Sequence, residues 1–258
     1  METLKIIKVG GNIIDNEAAL EKFLSQFSTV KGPKILVHGG GKLATQMAKD
    51  MNVPVNMVNG RRITDAETLD IITMVYAGKI NKNIVAKLQA NNCNAVGFSG
   101  ADGNTIVSIK RPVKKLDYGF VGDVKKVNTK VLNVLLENNI TPVFCAITHD
   151  KNGQLLNTNA DTIASELAIG LSRIYHTELI YCFEKDGVLL SIEDEDSVID
   201  YMDSGTYETL KIRDTFADGM LPKLENCYYA LEEGVSKVII GNPTVITNKN
   251  QKFTTLFL

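Results

Sequence analysis

The sequence has little net charge, few cysteines and few histidines, and each shortage closes off a class of protein. Against 28 basic residues stand 30 acidic ones, a formal charge of −2 over 258 residues. That balance gives no electrostatic case for a nucleic-acid partner. The basic residues are also spread out; the pairs Lys110-Arg111 and Lys114-Lys115 read as a solvated face rather than a binding patch. Cys93, Cys145, Cys182 and Cys227 lie far apart with no CxxC spacing, which suits neither a zinc site nor a disulfide framework. Cys145 and Cys182 fall in apolar, strand-like runs and read as small buried hydrophobes. No run approaches the length of a membrane span, and Met1–Lys5 lacks the apolar segment of a secretory signal. A reducing, cytoplasmic setting is the expectation.

What is present is an ordinary globular composition, 44% hydrophobic and 22% charged, arranged in alternating strand and helix patterns. Leu4 to Val9 reads as a buried strand ending in Gly10-Gly11. Helical spacing follows through Leu20, Phe23, Leu24 and Phe27. Lys34 to His38 is a second buried strand, running into Gly39-Gly40-Gly41 and a helix through Leu43, Met47 and Ala48. Thr64 and Glu67 form a capping-box pattern that opens a long helix to about Asn91. Three extended pieces come next, Asn94–Phe98, Thr105–Lys110 and Phe120–Val127, expected as strands or hairpin arms between the main sheet and a cleft. A helix near Lys130–Asn138, a strand Thr141–Ile147, a helix Asn159–Ser172 and a strand Glu178–Phe183 lead on. Helices around Ser204–Lys211 and Pro222–Glu233 and a strand Lys237–Gly241 complete the pattern. The fold class this implies is α/β, a parallel sheet covered by helices. With no linker and no internal repeat, the chain is expected to be one continuous domain of two lobes, about 1–172 and 173–258.

Two strand-to-glycine transitions, Lys8-Val9-Gly10-Gly11 and His38-Gly39-Gly40-Gly41, suggest a phosphate cleft. Glycines at the carboxyl end of a parallel strand let backbone N–H groups approach an anion. Neither turn is a P-loop, because the four-residue spacer is missing and Leu43 stands where Ser or Thr would hold Mg²⁺. Neither is GxGxxG, so a Rossmann dehydrogenase is disfavoured. Asn59-Gly60-Arg61-Arg62 sets two guanidinium forks, which match carboxylates, before a helix. Asn157-Thr158-Asn159-Ala160-Asp161 is more polar than one helix cap requires. Lys223 falls in the first turn of a helix after Gly219, a place unfavourable for a cation unless an anion binds there.

Taken in order, the segments Ile6–Gly11, Val37–Gly41, Val58–Thr64, Leu156–Asp161 and Asp218–Lys223 resemble the amino acid kinase family, and the resemblance covers essentially the whole chain. It implies a three-layer α/β/α sandwich with a mostly parallel central sheet, and ATP-dependent phosphorylation of a carboxylate. The Asn-Gly-x-Arg-x-Thr and Asn-x-Asn-Ala-Asp elements point to the side chain of an N-acylated glutamate, with acetyl as the acyl group. By resemblance Lys8 and Lys223 neutralise the transferring phosphoryl group and Asp161 holds both. Gly11, Gly40 and Gly41 present N–H groups to phosphoryl and acceptor, while Arg62, with Asn157 and Asn159, binds the substrate. ATP is expected over the second lobe, at Gly10, Glu184, Lys185, Gly187, Val188, Leu189, Thr215, Phe216 and Ala217. Mg²⁺ arrives on the nucleotide, with no protein metal site. The resemblance also implies a homodimer whose sheet continues across the interface. Because arginine-controlled members carry an extra helix before the first strand, arginine insensitivity is expected.

The chemistry fits the residue types. A glutamate side chain ionises near pH ~4, so the nucleophile needs no general base, and the chain holds only His38, His149 and His176. His38 reads as structural. The sequence departs from the family at Glu184, which stands in place of an aspartate, and at Arg61, where an aliphatic is common. Arg61 opens the possibility that the acyl group itself carries a carboxylate, as succinyl does. Two more readings stay open, a family member acting on a different carboxylate and a non-catalytic sensor on the same fold.

Overall fold

In the computed structural model, alternate residues of the central strands enter two separate cores, as expected for a sheet covered on both faces. Leu4 and Ile6 pack into one core and Ile7 and Val9 into the other; Ile35 and Val37 divide from Leu36 in the same way, as Leu179 and Tyr181 do from Ile180 and Cys182. The structure describes residues 1–58, 60–191, 193–212, 220–248 and 251–258.

The chain opens with β1 (Thr3–Val9), a short turn of helix α1 (Gly11–Ile14), α2 (Glu17–Thr29), β2 (Lys34–His38) and α3 (Gly41–Asp50). A small hairpin of β3 (Met57–Val58) and β4 (Arg61–Arg62) leads to a long helical rod. The rod comprises α4 (Ala66–Thr73), a π-helical stretch Met74–Ile80, and α5 (Asn81–Ala90). Next come β5 (Ala95–Phe98), β6 (Ile106–Lys110), β7 (Gly122–Val127), α6 (Thr129–Glu137), β8 (Thr141–Phe144), β9 (Ile147–His149) and β10 (Leu155–Asn157). The remainder holds α7 (Ala160–Leu171), β11 (His176–Cys182), β12 (Tyr201–Met202), α8 (Ser204–Ile212), α9 (Met220–Glu232), β13 (Lys237–Gly241) and β14 (Thr254–Leu256).

The main sheet has eight strands in the order β12-β14-β13-β11-β1-β2-β8-β5. Its pairings are parallel except for β13 against β14. A second sheet, β10-β9-β6-β7, and the β3-β4 hairpin stand beside it. The first core packs α2, α3 and the rod against one face, and the second packs α6, α7, α8 and α9 against the other. This is the three-layer sandwich. All four cysteines are buried and free, and burial pushes the thiols of Cys145 and Cys182 up to about 12.

Three sequence expectations need correction. The apolar run Thr141–Ile147 is not one strand: it breaks at Cys145-Ala146, where the chain leaves the main sheet and re-enters as β9 of the second. Of the three extended pieces, β6 and β7 are the antiparallel arms expected, but β5 stands in the main sheet itself, as its edge strand. The rod is capped by Asp65, whose Oδ1 accepts from the Thr68 N–H at 2.8 Å, rather than by Thr64. Thr64 is pinned against a neighbouring segment, its N–H to Tyr118 and its carbonyl to Phe120, and has no freedom to cap.

Candidate active site

Strand parity and helix placement assemble the charged centre. Lys8 shares parity with Leu4 and Ile6, so it projects to the face that carries α7, and it lies in register with Tyr181 on β11. Asn159 caps α7, its Oδ1 accepting from the N–H groups of Asp161 (2.7 Å) and Thr162 (3.3 Å). Asp161 therefore sits in the first helical turn, where the dipole favours an anion. Lys8 Nζ lies 2.8 Å from one of its carboxylate oxygens and Lys223 Nζ, from α9, lies 3.4 Å from the other. Tyr181 donates its hydroxyl to the Asp161 carbonyl at 3.1 Å, and the rings of Tyr181 and Phe183 flank the Lys223 ammonium at 5.5 and 5.7 Å. Burial opposes the charge on Asp161, but the two ammonium groups outweigh it and hold the carboxyl down at about 2. Two cations share one anion, so the cluster carries a surplus positive charge that calls for a second anion.

One cleft contains the two lysines of this cluster, and a second is lined by Asn159 and Ala160, the residues just before Asp161. The first, of about 240 Å³, is lined by Lys8, Gly10, Gly11, Asn12, Phe183, Glu184 and Lys223. Gly10 leaves β1 with its N–H bonded to the Cys182 carbonyl at 2.9 Å, and a Cβ there would crowd that oxygen at 3.2 Å. The other cleft, about 210 Å³, lies across the α7 N-terminus. It is lined by Gly39, Gly40, Gly41, Arg61, Arg62, Tyr76, Arg111, Asn157 and Asn159, among others. Gly40 is indispensable to its shape: φ is +153° and a Cβ would stand 2.2 Å from Ile80 Cδ1, a position only glycine tolerates. His38 fixes the turn from below, with Nδ1 against the Gly39 carbonyl at 2.8 Å and Nε2 against Asn81 Nδ2 at 3.0 Å. Full burial drives His38 down to about 4, so it is neutral and structural, as expected.

Arg62 is 8% exposed. Its Nη2 donates to the Gly41 carbonyl (3.0 Å) and to Thr45 Oγ1 (2.7 Å), whereas its Nη1 is buried without a partner among the described residues. A buried donor left bare costs roughly 1–3 kcal/mol or more when charged, so this nitrogen marks where an acceptor oxygen belongs. Asn157 donates to Thr64 Oγ1 at 3.0 Å, which leaves its carbonyl oxygen for the cleft.

The structure thus brings together Lys8, Lys223, Asp161, Gly10 and Gly11 around one cleft, and Gly40, Gly41, Arg62, Asn157 and Asn159 around the other. Of the residues expected to hold nucleotide, Glu184 lines the first cleft. Lys185 pairs with Glu195, Leu189 bridges to Val198, and Val188 is 1% exposed in the second core. Gly187 packs against Thr254 and Val198 too tightly for a Cβ. Thr215, Phe216, Ala217 and the glycine at 219 lie outside the described residues. Sequence reasoning missed Tyr76 and Thr45, which carried no motif, and the Tyr181 and Phe183 rings, which looked like ordinary strand residues; it had Thr64 in a motif but read it as a helix cap rather than as the acceptor of the Asn157 amide. The basic run is exposed at Lys110, Lys114 and Lys115, as read, and departs from that reading at Arg111. Arg111 lines the cleft across the α7 N-terminus, bonded to Asp123 at 2.7 and 3.0 Å and set against the Tyr118 ring. Beyond it a groove of about 850 Å³ gathers Arg61, Arg111, Lys114, Lys115 and Lys125 against the single acid Asp123.

Two turns of glycine beside a lysine–aspartate–lysine cluster on a parallel sheet describe the cleft of a phosphoryl-transfer enzyme. The amino acid kinase family model matches residues 3–242, and the chain belongs to that family. More particularly, it is 58% identical to an acetylglutamate kinase of Cytophaga hutchinsonii, the match covering 93% of this chain and 91% of the relative. It is 52% identical to one from Phocaeicola vulgatus, with 93% of each covered. Among solved structures, a Streptococcus mutans protein superposes with a TM-score of 0.80 at 25% identity over 98% of both chains. The carbamate kinase of Giardia lamblia superposes at 0.73 with 14% identity over 99% of this chain and 98% of its own, a likeness of fold.

Proposed function

We propose that this chain transfers the γ-phosphoryl group of ATP to the side-chain carboxylate of N-acetyl-L-glutamate, giving N-acetyl-L-glutamyl 5-phosphate and ADP, the second step of arginine biosynthesis. The observation that carries the reading is the pair of ammonium groups sharing the one carboxylate of Asp161. The acceptor carboxylate is ionised at neutral pH and needs no base. The difficulty lies in bringing it against an anionic phosphate, and positioning with charge stabilisation supplies the remedy. Lys8 and Lys223 meet the charge on the transferring group from opposite sides, and Asp161 keeps both in place. N–H groups of Gly11, Gly40 and Gly41 line up phosphoryl and acceptor, while Arg62 Nη1 takes the α-carboxylate with Asn157 and Asn159 alongside.

The nucleotide runs from Gly10 past Glu184 toward Lys185–Leu189. No group of three His, Cys, Asp or Glu among the described residues could hold a metal, and the Asp161 carboxylate is already shared by two lysines. Mg²⁺ is taken to ride on the nucleotide phosphates, where it neutralises charge. The two lobes, about 1–172 and 173–258, divide acceptor from nucleotide. The enzyme acts in the cytoplasm as a homodimer joined at the open edge of β5, whose Val96 is exposed and whose outer side is unpaired among the described residues. No described helix is long and apolar enough to cross a membrane.

One observation favours a second acceptor. Arg61 and Arg111 line both the acceptor cleft and the basic groove, so an acyl group ending in a carboxylate, such as succinyl, would meet cations there. ADP release with MgATP and either acylglutamate, trapping the acyl phosphate as hydroxamate, tests both readings. Hydroxamate formed with the acetyl substrate and lost in Lys8→Ala supports the first. Turnover of the acetyl form equal to or above the succinyl form sinks the second. Folded protein giving hydroxamate with neither overturns the kinase assignment.

A further inference from the structure

The long rod is not a uniform α-helix. Between α4 and α5 the stretch Met74–Ile80 widens to π geometry, with the Asn81 N–H reaching back to the Tyr76 carbonyl. Such widened turns are uncommon and often stand at functional sites. This one abuts the glycine turn: Tyr76 and Ile80 occupy the space a Gly40 side chain would need, at 3.0 and 2.2 Å from the position of its Cβ. Asn81, at the junction where α-helix resumes, ties the stretch to the same turn through His38 (3.0 Å) and to the Val143 carbonyl (2.9 Å). The segment is therefore held against the acceptor cleft from two directions.

Tyr76 is 6% exposed, yet it lines the cleft. Its hydroxyl reaches to 4.0 Å from where a Gly41 Cβ would stand, and the Gly41 carbonyl accepts from Arg62 Nη2. The phenol and the guanidinium are thus neighbours on one turn, and Arg62 Nη1 is the donor left without a protein partner among the described residues. Burial raises the Tyr76 ionisation above its usual value, with Arg62 pulling less strongly the other way, so the hydroxyl keeps its proton at neutral pH and can donate.

We propose that Tyr76 is a specificity-determining residue whose hydroxyl donates to the same α-carboxylate that Arg62 Nη1 binds, so that the cleft selects acceptors by an anion at that position. The inference rests on the assignment of this cleft to the acylglutamate. Tyr76→Phe removes the hydroxyl while leaving the ring against Gly40. Its KM and kcat/KM are measured for N-acetyl-L-glutamate and for the α-carboxamide analogue, with KM for MgATP and Tm alongside. The expected result is a loss of ~10- to 100-fold in kcat/KM for the acid, the range of a hydrogen bond to a charged group. The amide loses much less, so discrimination between the two shrinks, and KM for MgATP holds. Equal losses on both acceptors, or no loss on either, would overturn the proposal. Arg62→Lys separates the two levels. If it abolishes the preference for the acid while Tyr76→Phe does not, the role of Tyr76 alone fails. If Arg62→Lys leaves the preference intact, the cleft is not the α-carboxylate site and the assignment beneath the proposal fails.

Discussion

The two clefts on either side of the α7 N-terminus are built on different principles. The phosphoryl cleft relies on formal charge, with two lysines, one aspartate and rings packed around an ammonium group. The acceptor cleft relies on shape and fixed hydrogen bonds: a glycine turn that excludes side chains, a neutral buried histidine under it, and one guanidinium committed on one nitrogen and bare on the other. On the proposed assignment, charge stabilisation governs the rate of phosphoryl transfer and the rigid, partly unsatisfied site governs which acceptor enters. Variants on the two sides should therefore differ in kind.

The largest effect is expected at the charged side. Lys8→Ala should lower kcat by ~100- to 1000-fold, the cost of losing one preorganised charge contact, with a modest change in acceptor KM. Steady-state kinetics check this, and a loss confined to KM would erase the contrast between the clefts.

The pH dependence of stability should separate them further. His38 is held at about 4 against an ordinary 6.5. The unfolded chain takes up that proton first, so as pH falls from 6.5 toward 4 the fold loses up to about 3 kcal/mol. Asp161 is held at about 2 against 3.8. Its contribution is complete above pH 3.8 and is lost as pH falls toward 2, a matter of about 2 kcal/mol. Urea unfolding from pH 7 to pH 3 should show the first loss, and His38→Asn should flatten it. A slope that persists in that variant would mean another group titrates there.

Gly40→Ala tests shape directly. The added carbon meets Ile80 and Tyr76 on a backbone that L-residues avoid, and overpacking of this kind costs roughly 1–3 kcal/mol. A chain of this size should lose about 2–4 °C in Tm per kcal/mol, with acceptor KM raised more than KM for MgATP. The smallest effect belongs to the exposed groove. Lys114→Gln with Lys115→Gln should weaken acceptor binding by only a few-fold, about 1 kcal/mol or less, and the difference should vanish in high salt. A salt-independent loss would make these lysines direct ligands.

Much of the proposed site was legible in the sequence because its charged members sit at the ends of elements, Lys8 near the end of a strand and Asp161 and Lys223 at the starts of helices. Lys8 precedes a glycine pair, Asp161 follows an asparagine cap, and Lys223 stands in a first helical turn, all local features. The groups that hold them were not legible. Tyr76 and Thr45 lie 14 and 17 residues from Arg62 along the chain, and nothing in their local pattern distinguishes them from ordinary helix residues. Thr64 and Asp65 both offer a plausible cap one residue apart, and the choice fell to a contact with Tyr118 and Phe120 more than 50 residues on. The apolar run Thr141–Ile147 has the hydrophobicity of one strand, but a change of sheet leaves no trace in hydrophobicity.

By itself the sequence determined the strand periodicity, the glycine turns, the family and the charged trio, because these depend on neighbours within a few residues. Tertiary structure decided that Arg111 faces the cleft rather than solvent, that Arg62 keeps one nitrogen bare, and that a π-helical turn presses Tyr76 against Gly40. Those outcomes depend on which distant segments share a surface and which polar atoms lose their water, and burial of that kind is a property of the assembled fold.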